Sequence, residues 1–305
     1  MSRSAARFER RPVAAPTAAD WDEVLLIEGN LSEDRDGEEE ASSPYRPYPW
    51  CGYVATWPEM ERAFAVELEF YAPAAEVWTL PNCGQDGSLT DVRQGEEGAE
   101  YRSGPVTSFD GMKEVTRFCH AARKAGGRVD KTCGHHVHVD VNDLPVETIA
   151  KVVQLYDLLE PALYQIVPPS RREGRYAKPR NRGFHRHSYR ECQTESRYYG
   201  LNLESIQKHG TLEFRLAAGT LNARKVFYWV LLCHLVVETG ISITRKGMRH
   251  LRSLAVIDPM LALLKVAKYG SLRRWIAERH EEFGRGAGSQ VSGIPAPVPT
   301  GRRYY

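Results

Sequence analysis

Several familiar layouts are missing from this 305-residue sequence, and each absence removes a class of chemistry. No CxxC pair and no HExxH stretch occurs, which excludes the usual structural zinc layouts, the thioredoxin-type redox motif and the common helical zinc protease site. The cysteines Cys51, Cys83, Cys119, Cys133, Cys192 and Cys233 are scattered, and reduced thiols are expected. Neither a G-x-x-x-x-G-K-[ST] loop nor a G-x-G-x-x-G fingerprint is present, so no glycine-rich loop is available to cradle phosphates. The longest apolar stretch, Val226 to Val237, is interrupted by His234 and is shorter than the roughly 20 residues of a bilayer crossing. It reads as a core helix. The opening MSRSAARFERRPVAAPTAAD has no apolar h-region, so a cytoplasmic location is the expectation.

What is present fits a soluble globular chain: 42% hydrophobic and 26% charged residues are enough for a large core without staples. The net charge of +2 conceals a segregation. Met1 to Met60 hold six Arg and no Lys against twelve Asp plus Glu, whereas Ile241 to Tyr305 hold twelve Lys plus Arg against four acids. A basic surface of this kind either solvates helices or meets an acidic partner. Residues 1–60, with the acidic run Glu33 to Glu40, read as a poorly ordered or capping extension. Residues 61–284 form the catalytic domain, and 285–305, rich in Gly, Ser and Pro, form a flexible tail.

Within the central domain, period-two and helical patterns alternate. Arg62 to Phe70 puts Phe64, Val66, Leu68 and Phe70 on one face of a strand and Ala65, Glu67 and Glu69 on the other. Val137, Val139 and Val141 line one face of a second strand whose other face carries His136, His138 and Asp140. Tyr199 to Ile206 and Thr211 to Ala217 read as an antiparallel hairpin turning at Gly210. Helices are expected at Asp110 to Gly126, from Pro145 onward with a kink or break at Pro161, at Asn222 to Thr239, at Pro259 to Tyr269 and at Ser271 to Phe283. Arg171 to Arg197, with nine basic residues against three Glu, reads as a mobile basic loop. The sum is an α+β fold with a largely antiparallel sheet.

The polar strand faces share a theme: Glu67 with Glu69, His136 with His138, Glu213 with Arg215. A solvated face would mix in Lys and Thr, which are absent from the central positions. Carboxylates gathered in one cleft repel one another and take up protons unless cations neutralise them. Oxygen-dominated ligation with one or two imidazoles suits Mg²⁺ or Mn²⁺ better than Zn²⁺. Such ions would hold phosphates, which makes an ATP-dependent reaction the natural expectation.

The blocks VELEF (66–70), DGSL (86–89), EYRSGP (100–105), CGHHVHVD (133–140) and YGLNLESIQKHGTLEFRL (199–216) resemble, in order, the amidoligase family, relatives of glutamine synthetase and glutamate cysteine ligase. The resemblance implies a glutamine-synthetase-like antiparallel sheet forming an active-site funnel, with helices packed on the opposite face. It implies a carboxylate–amine ligase that uses ATP and two or more Mg²⁺ ions, works through an acyl phosphate, and makes an amide or isopeptide-type bond. Its substrates would be a carboxylate and an amine, as an amino acid, peptide or protein side chain; nucleic acid and membrane are not expected partners.

Carried over by residue, the resemblance makes Glu67, Glu69, Glu100, His136 and Glu213 metal ligands, with Asp86 assisting. His138 stands nearer nucleotide or substrate, and Arg215 stabilises the transferred phosphoryl, a task suited to a planar, always charged guanidinium. Glu100, His138 and Arg215 form the catalytic set. Asn202, Arg180 and Arg182 are candidate nucleotide or substrate contacts, with Arg186 in the same basic loop. Cys133 is a packing position, and His185, His187 and His209 read as exposed. Two other readings stand beside this one: a metal-dependent hydrolase using the His/Glu cluster, and a non-catalytic adaptor with the same fold.

Overall fold

The structure, a computed structural model, describes residues 60–180 and 197–284. The expected N-terminal extension up to Glu59, the tail from Arg285 onward, and Arg182, His185, Arg186 and His187 of the basic loop lie outside the described residues.

A six-stranded, wholly antiparallel sheet organises these residues, in the order β2-β3-β1-β4-β6-β5. The strands are β1 (Phe64–Pro73), β2 (Cys83–Gln85), β3 (Glu96–Arg102), β4 (Gly134–Asp140), β5 (Leu201–Asn202) and β6 (Thr211–Ala218). Nine α-helices accompany them among the described residues: α1 (Ala74–Val77), α2 (Ser108–Lys124), α3 (Val146–Leu163), α4 (Pro169–Arg172), α5 (Glu204–His209), α6 (Ala223–Ser242), α7 (Arg245–Ile257), α8 (Pro259–Val266) and α9 (Gly270–Phe283). The α+β expectation holds.

The period-two pattern of β1 decides which way the sheet faces. Phe64, Val66, Leu68 and Phe70 are buried, while Ala65, Glu67 and Glu69 are only partly so. Each large apolar side chain taken out of water contributes roughly 1.5–3 kcal/mol, which opposes any register slip that would exchange the two faces. Three helices cover the apolar face through ring contacts. Phe118 of α2 stacks on Tyr101 at 3.7 Å between centroids and meets Phe70 edge-on at 5.7 Å. Tyr156 of α3 meets Phe214, and His234 of α6 meets Phe64. By length and apolarity α6 could cross a membrane, but Val226 through Val237 are all buried inside the fold, as a core helix requires. Its start is fixed by Asn222, whose side chain accepts the Lys225 amide.

Two expectations need correction. The hairpin over Tyr199 to Ala217 is not a simple one: β5 is only two residues long, and the connection folds into α5, closed by Gly210 in the left-handed region at φ 71°. Pro161 does not break its helix. It sits in the last turn of α3, which continues to Leu163 and then tightens into a 3₁₀ turn, Tyr164–Ile166.

Candidate active site

The face of the sheet turned away from α2, α3 and α6 carries the predicted cluster, and strand register brings it together. Glu69 lies opposite Glu100 in the β1–β3 pairing, and Glu67 lies opposite Arg102. On the other flank of β1, Glu67 faces His136; His138 then faces Glu213, which in turn faces Asn202. Residues distant in sequence thus become cross-strand neighbours, within reach of one another.

The contacts centre on His136, which is buried. Its Nδ1 lies 3.2 Å from Glu67 Oε2 and 3.8 Å from Glu213 Oε1, while Nε2 lies 3.7 Å from Glu69 Oε1. Two candidate ligand sets therefore share one imidazole: Glu67, His136 and Glu213, and Glu69, Glu100 and His136, each with ligand atoms within 4.8 Å of one another. Two carboxylates and one imidazole per set in a mostly buried recess fit a divalent cation. Gly134 makes room for them. Its amide donates to Glu69 Oε2 at 2.6 Å, and a Cβ at that position would lie 2.8 Å from His136 Nε2.

Charges in the recess are strongly interdependent. Burial pushes the Glu100 carboxyl up to about 7, helped by the negative charge of Glu67, Asp86 and Glu69 and opposed by Arg102, with which Glu100 pairs. Burial also acts to raise Glu67, but the hydrogen bond with His136 and the charge of the His136 and His138 imidazoles win and hold it well below the carboxylate range. Glu213 is likewise held low: Arg215, the two histidines and the amide of Asn202, which donates to Glu213 Oε2 at 2.5 Å, outweigh its burial. His138 is raised, because Glu67 and Glu213 outweigh the cost of burying its charge. Carboxylates crowded in this way repel one another, and a cation among them would relieve that repulsion.

Arg215 reaches Glu213 from a kink in β6. Pairing runs from His135 with Ala217 to Val137 with Phe214, so Arg215 and Leu216 together stand opposite His136, a β-bulge that turns the guanidinium toward the carboxylates. The bulge is held by a residue sequence reasoning missed. Arg171, buried in α4, donates to the carbonyls of Arg215 at 2.6 Å and Leu216 at 3.3 Å. Nothing in the sequence distinguished it from the eight other basic residues of its stretch.

The remaining predicted residues are placed as follows. Asp86 accepts the Ser88 amide in a turn and influences Glu100 by charge, but belongs to neither ligand set. Arg180 does not join the cluster: its Nε binds Asp157 of α3 at 2.8 Å, and its amide binds the Glu160 carboxylate. That ion pair is made by a helix on the apolar side of the sheet. Arg182 lies outside the described residues. Cys133 packs with Tyr71 and Leu89, and burial lifts its thiol to about 12, so it is a packing residue. His135, beside the pair, points into the core, where burial lowers it to about 3 and keeps it neutral.

Residues 76–237 match the family described as "Putative amidoligase enzyme". The chain belongs to the amidoligase family. No curated protein and no solved structure matches the chain. The matched stretch contains Glu100, His136, His138, Asn202, Glu213 and Arg215, while Glu67 and Glu69 lie upstream of it and reach the same recess through the pairings of β1.

Proposed function

We propose that this amidoligase joins a carboxylate to an amine at the expense of ATP, with Mg²⁺ or Mn²⁺, through an acyl phosphate. The observation that carries the reading is the convergence of four carboxylates and two imidazoles from β1, β3, β4 and β6 on one recess, with two ligand sets meeting at His136. Glu67, His136 and Glu213 would hold one ion, and Glu69, Glu100 and His136 would frame a second position. When bound, such ions neutralise phosphate charge, and ATP supplies the phosphoryl group that activates the acid.

This chain's own residues supply placement and charge. Arg215, steered by the bulge, offers N–H donors beside Glu213 to an anionic oxygen. His138 stands 3.5 Å from Glu67 and 4.0 Å from Glu213, where it faces the same oxygen. Glu100, opposite Glu69 on the adjacent strand and paired with Arg102, would face the attacking amine from the second ion position. Asn202 fixes Glu213 in its orientation. The glutamine-synthetase-like funnel and the cytoplasmic setting belong to the same proposal.

The test is phosphate release from ATP and Mg²⁺ in the presence of pooled amino acids and peptides, with coupled products read by mass. Acceptor-dependent release of ADP and phosphate, suppressed in Glu67→Gln and Arg215→Ala, supports the reading. Stoichiometric tightly bound zinc with peptide or amide hydrolysis and no nucleotide turnover would replace it with a hydrolase.

A further inference from the structure

His138 is only 8% exposed, and its two ring nitrogens meet opposite surroundings. On one side, Nδ1 lies 2.9 Å from the hydroxyl of Thr211 and 3.2 Å from that of Ser205, and the two hydroxyls are 2.7 Å apart. On the other, Nε2 is buried without a hydrogen bond and faces Glu67 Oε1 and Glu213 Oε1. Ionised carboxylates only accept, and a neutral imidazole carries one proton. Placed on Nδ1, that proton would leave a bare nitrogen lone pair aimed at two carboxylate oxygens. Placed on Nε2, it points at both of them, and Nδ1 then needs a donor.

We propose that Ser205 and Thr211 are positioning residues for His138: their hydroxyls serve Nδ1 and keep the ring proton on Nε2, aimed between Glu67 and Glu213. The inference rests on reading this recess as the catalytic site. A carbonyl or carboxylate beside Nδ1 would select the opposite tautomer, since it can only accept. A hydroxyl also accepts when the ring carries two protons, so the pair holds the same orientation in either charge state. The fold supplies both partners. Thr211 opens β6 two residues before Glu213, and Ser205, itself buried, is delivered by α5, the helix that replaces the expected hairpin turn. With a proton on Nε2, His138 donates a hydrogen bond to an anionic substrate oxygen and does not ligate a cation. His136 is then the imidazole of both ligand sets.

The test is a long-range ¹⁵N–¹H correlation spectrum of metal-free protein labelled at histidine, recorded at alkaline pH where the rings are neutral. His138 is assigned by its disappearance in His138→Gln. The expected result is an Nε2–H tautomer in the wild type and in Thr211→Ser, with Nδ1–H population emerging in the Ser205→Ala/Thr211→Val double variant. In the turnover assay that double variant should lose at least about tenfold in kcat with little change in KM, as for partners that orient a functional imidazole. An Nδ1–H wild type overturns the proposal, as does a folded double variant with an unchanged spectrum. If the double variant does not fold, the wild-type spectrum decides alone. An Nε2–H wild type in a protein that never turns over ATP keeps this inference and ends the ligase reading.

Discussion

Glu69 and Glu100 stand directly opposite each other on adjacent strands, an arrangement of like charges that antiparallel sheets ordinarily avoid. It persists because Arg102 pairs with Glu100 and the Gly134 amide binds Glu69, and because the Glu100 carboxyl is pushed up to about 7.

That raised carboxyl makes the metal-free protein sensitive to pH in a definite direction. Between the ordinary carboxylate value of 4.5 and about 7, the folded state keeps a proton that the unfolded chain has released. Stability from Glu100 is therefore lost as pH rises through that window, by about 3 kcal/mol in all. Denaturation midpoints measured in chelator should show Glu100→Gln gaining on wild type steadily from pH 5 to 8. A pH-independent difference between the two would contradict the assignment.

At the acid end the sign reverses. Glu67 and Glu213 are held below their ordinary range, so the stability they contribute is present above about 4.5 and is lost as pH falls through their folded values. A Glu67→Gln variant should show a shallower loss of thermal stability below pH 4.5 than wild type, together with weakened divalent cation binding measured calorimetrically.

Gly134→Ala inserts a methyl group 2.8 Å from His136 Nε2, so the imidazole must rotate. Overpacking of this kind costs roughly 1–3 kcal/mol. The expected signature is a modest fall in melting temperature with a disproportionate loss of cation affinity. Retention of full affinity would show that the imidazole tolerates displacement.

Arg171→Met removes the buried donors that hold the Arg215 and Leu216 carbonyls. Two buried acceptors would lose their partner, at roughly 1–3 kcal/mol each. Arg171→Lys should recover part of the stability but less of the turnover, because an ammonium cannot reproduce a two-pronged guanidinium contact. Equal recovery of both would mean that the bulge needs charge alone.

Cys119, Cys133 and Cys233 are buried with thiols pushed up, Cys119 and Cys133 to about 12. Native protein should resist alkylation at all three near pH 8, with labelling measured by peptide mass appearing only on unfolding. Rapid native labelling of Cys133 would revive a chemical role for it.

The parts legible in the sequence were those whose side chains answer to their own strand. Glu67, Glu69, His136 and His138 alternate with apolar partners, so their common face could be read from spacing. β3 was hidden, because EEGAEYR lacks clean alternation and takes its pairing from β1 and β2. α7 was hidden as well: its apolar residues Met248, Leu251, Leu254, Ala255, Val256 and Ile257 crowd toward its C-terminal half behind a basic start, and only Met248 and Leu251 are buried. Arg171 and Ser205 owe their roles to neighbours far away in sequence or across a turn, which no local pattern records. The Asp157 partner of Arg180 is likewise supplied by a helix distant in sequence.

The strand order β3-β1-β4-β6 means that each cation position draws its donors from strands far apart in the chain: Glu69, Glu100 and His136 need β3, β1 and β4 together, and Glu67, His136 and Glu213 also need β6 closed onto β4. Such distant pairings are assembled late and slowly. Divalent ions should accordingly leave the refolding rate almost unchanged while slowing unfolding, acting as a latch on a finished sheet and not as a seed for it.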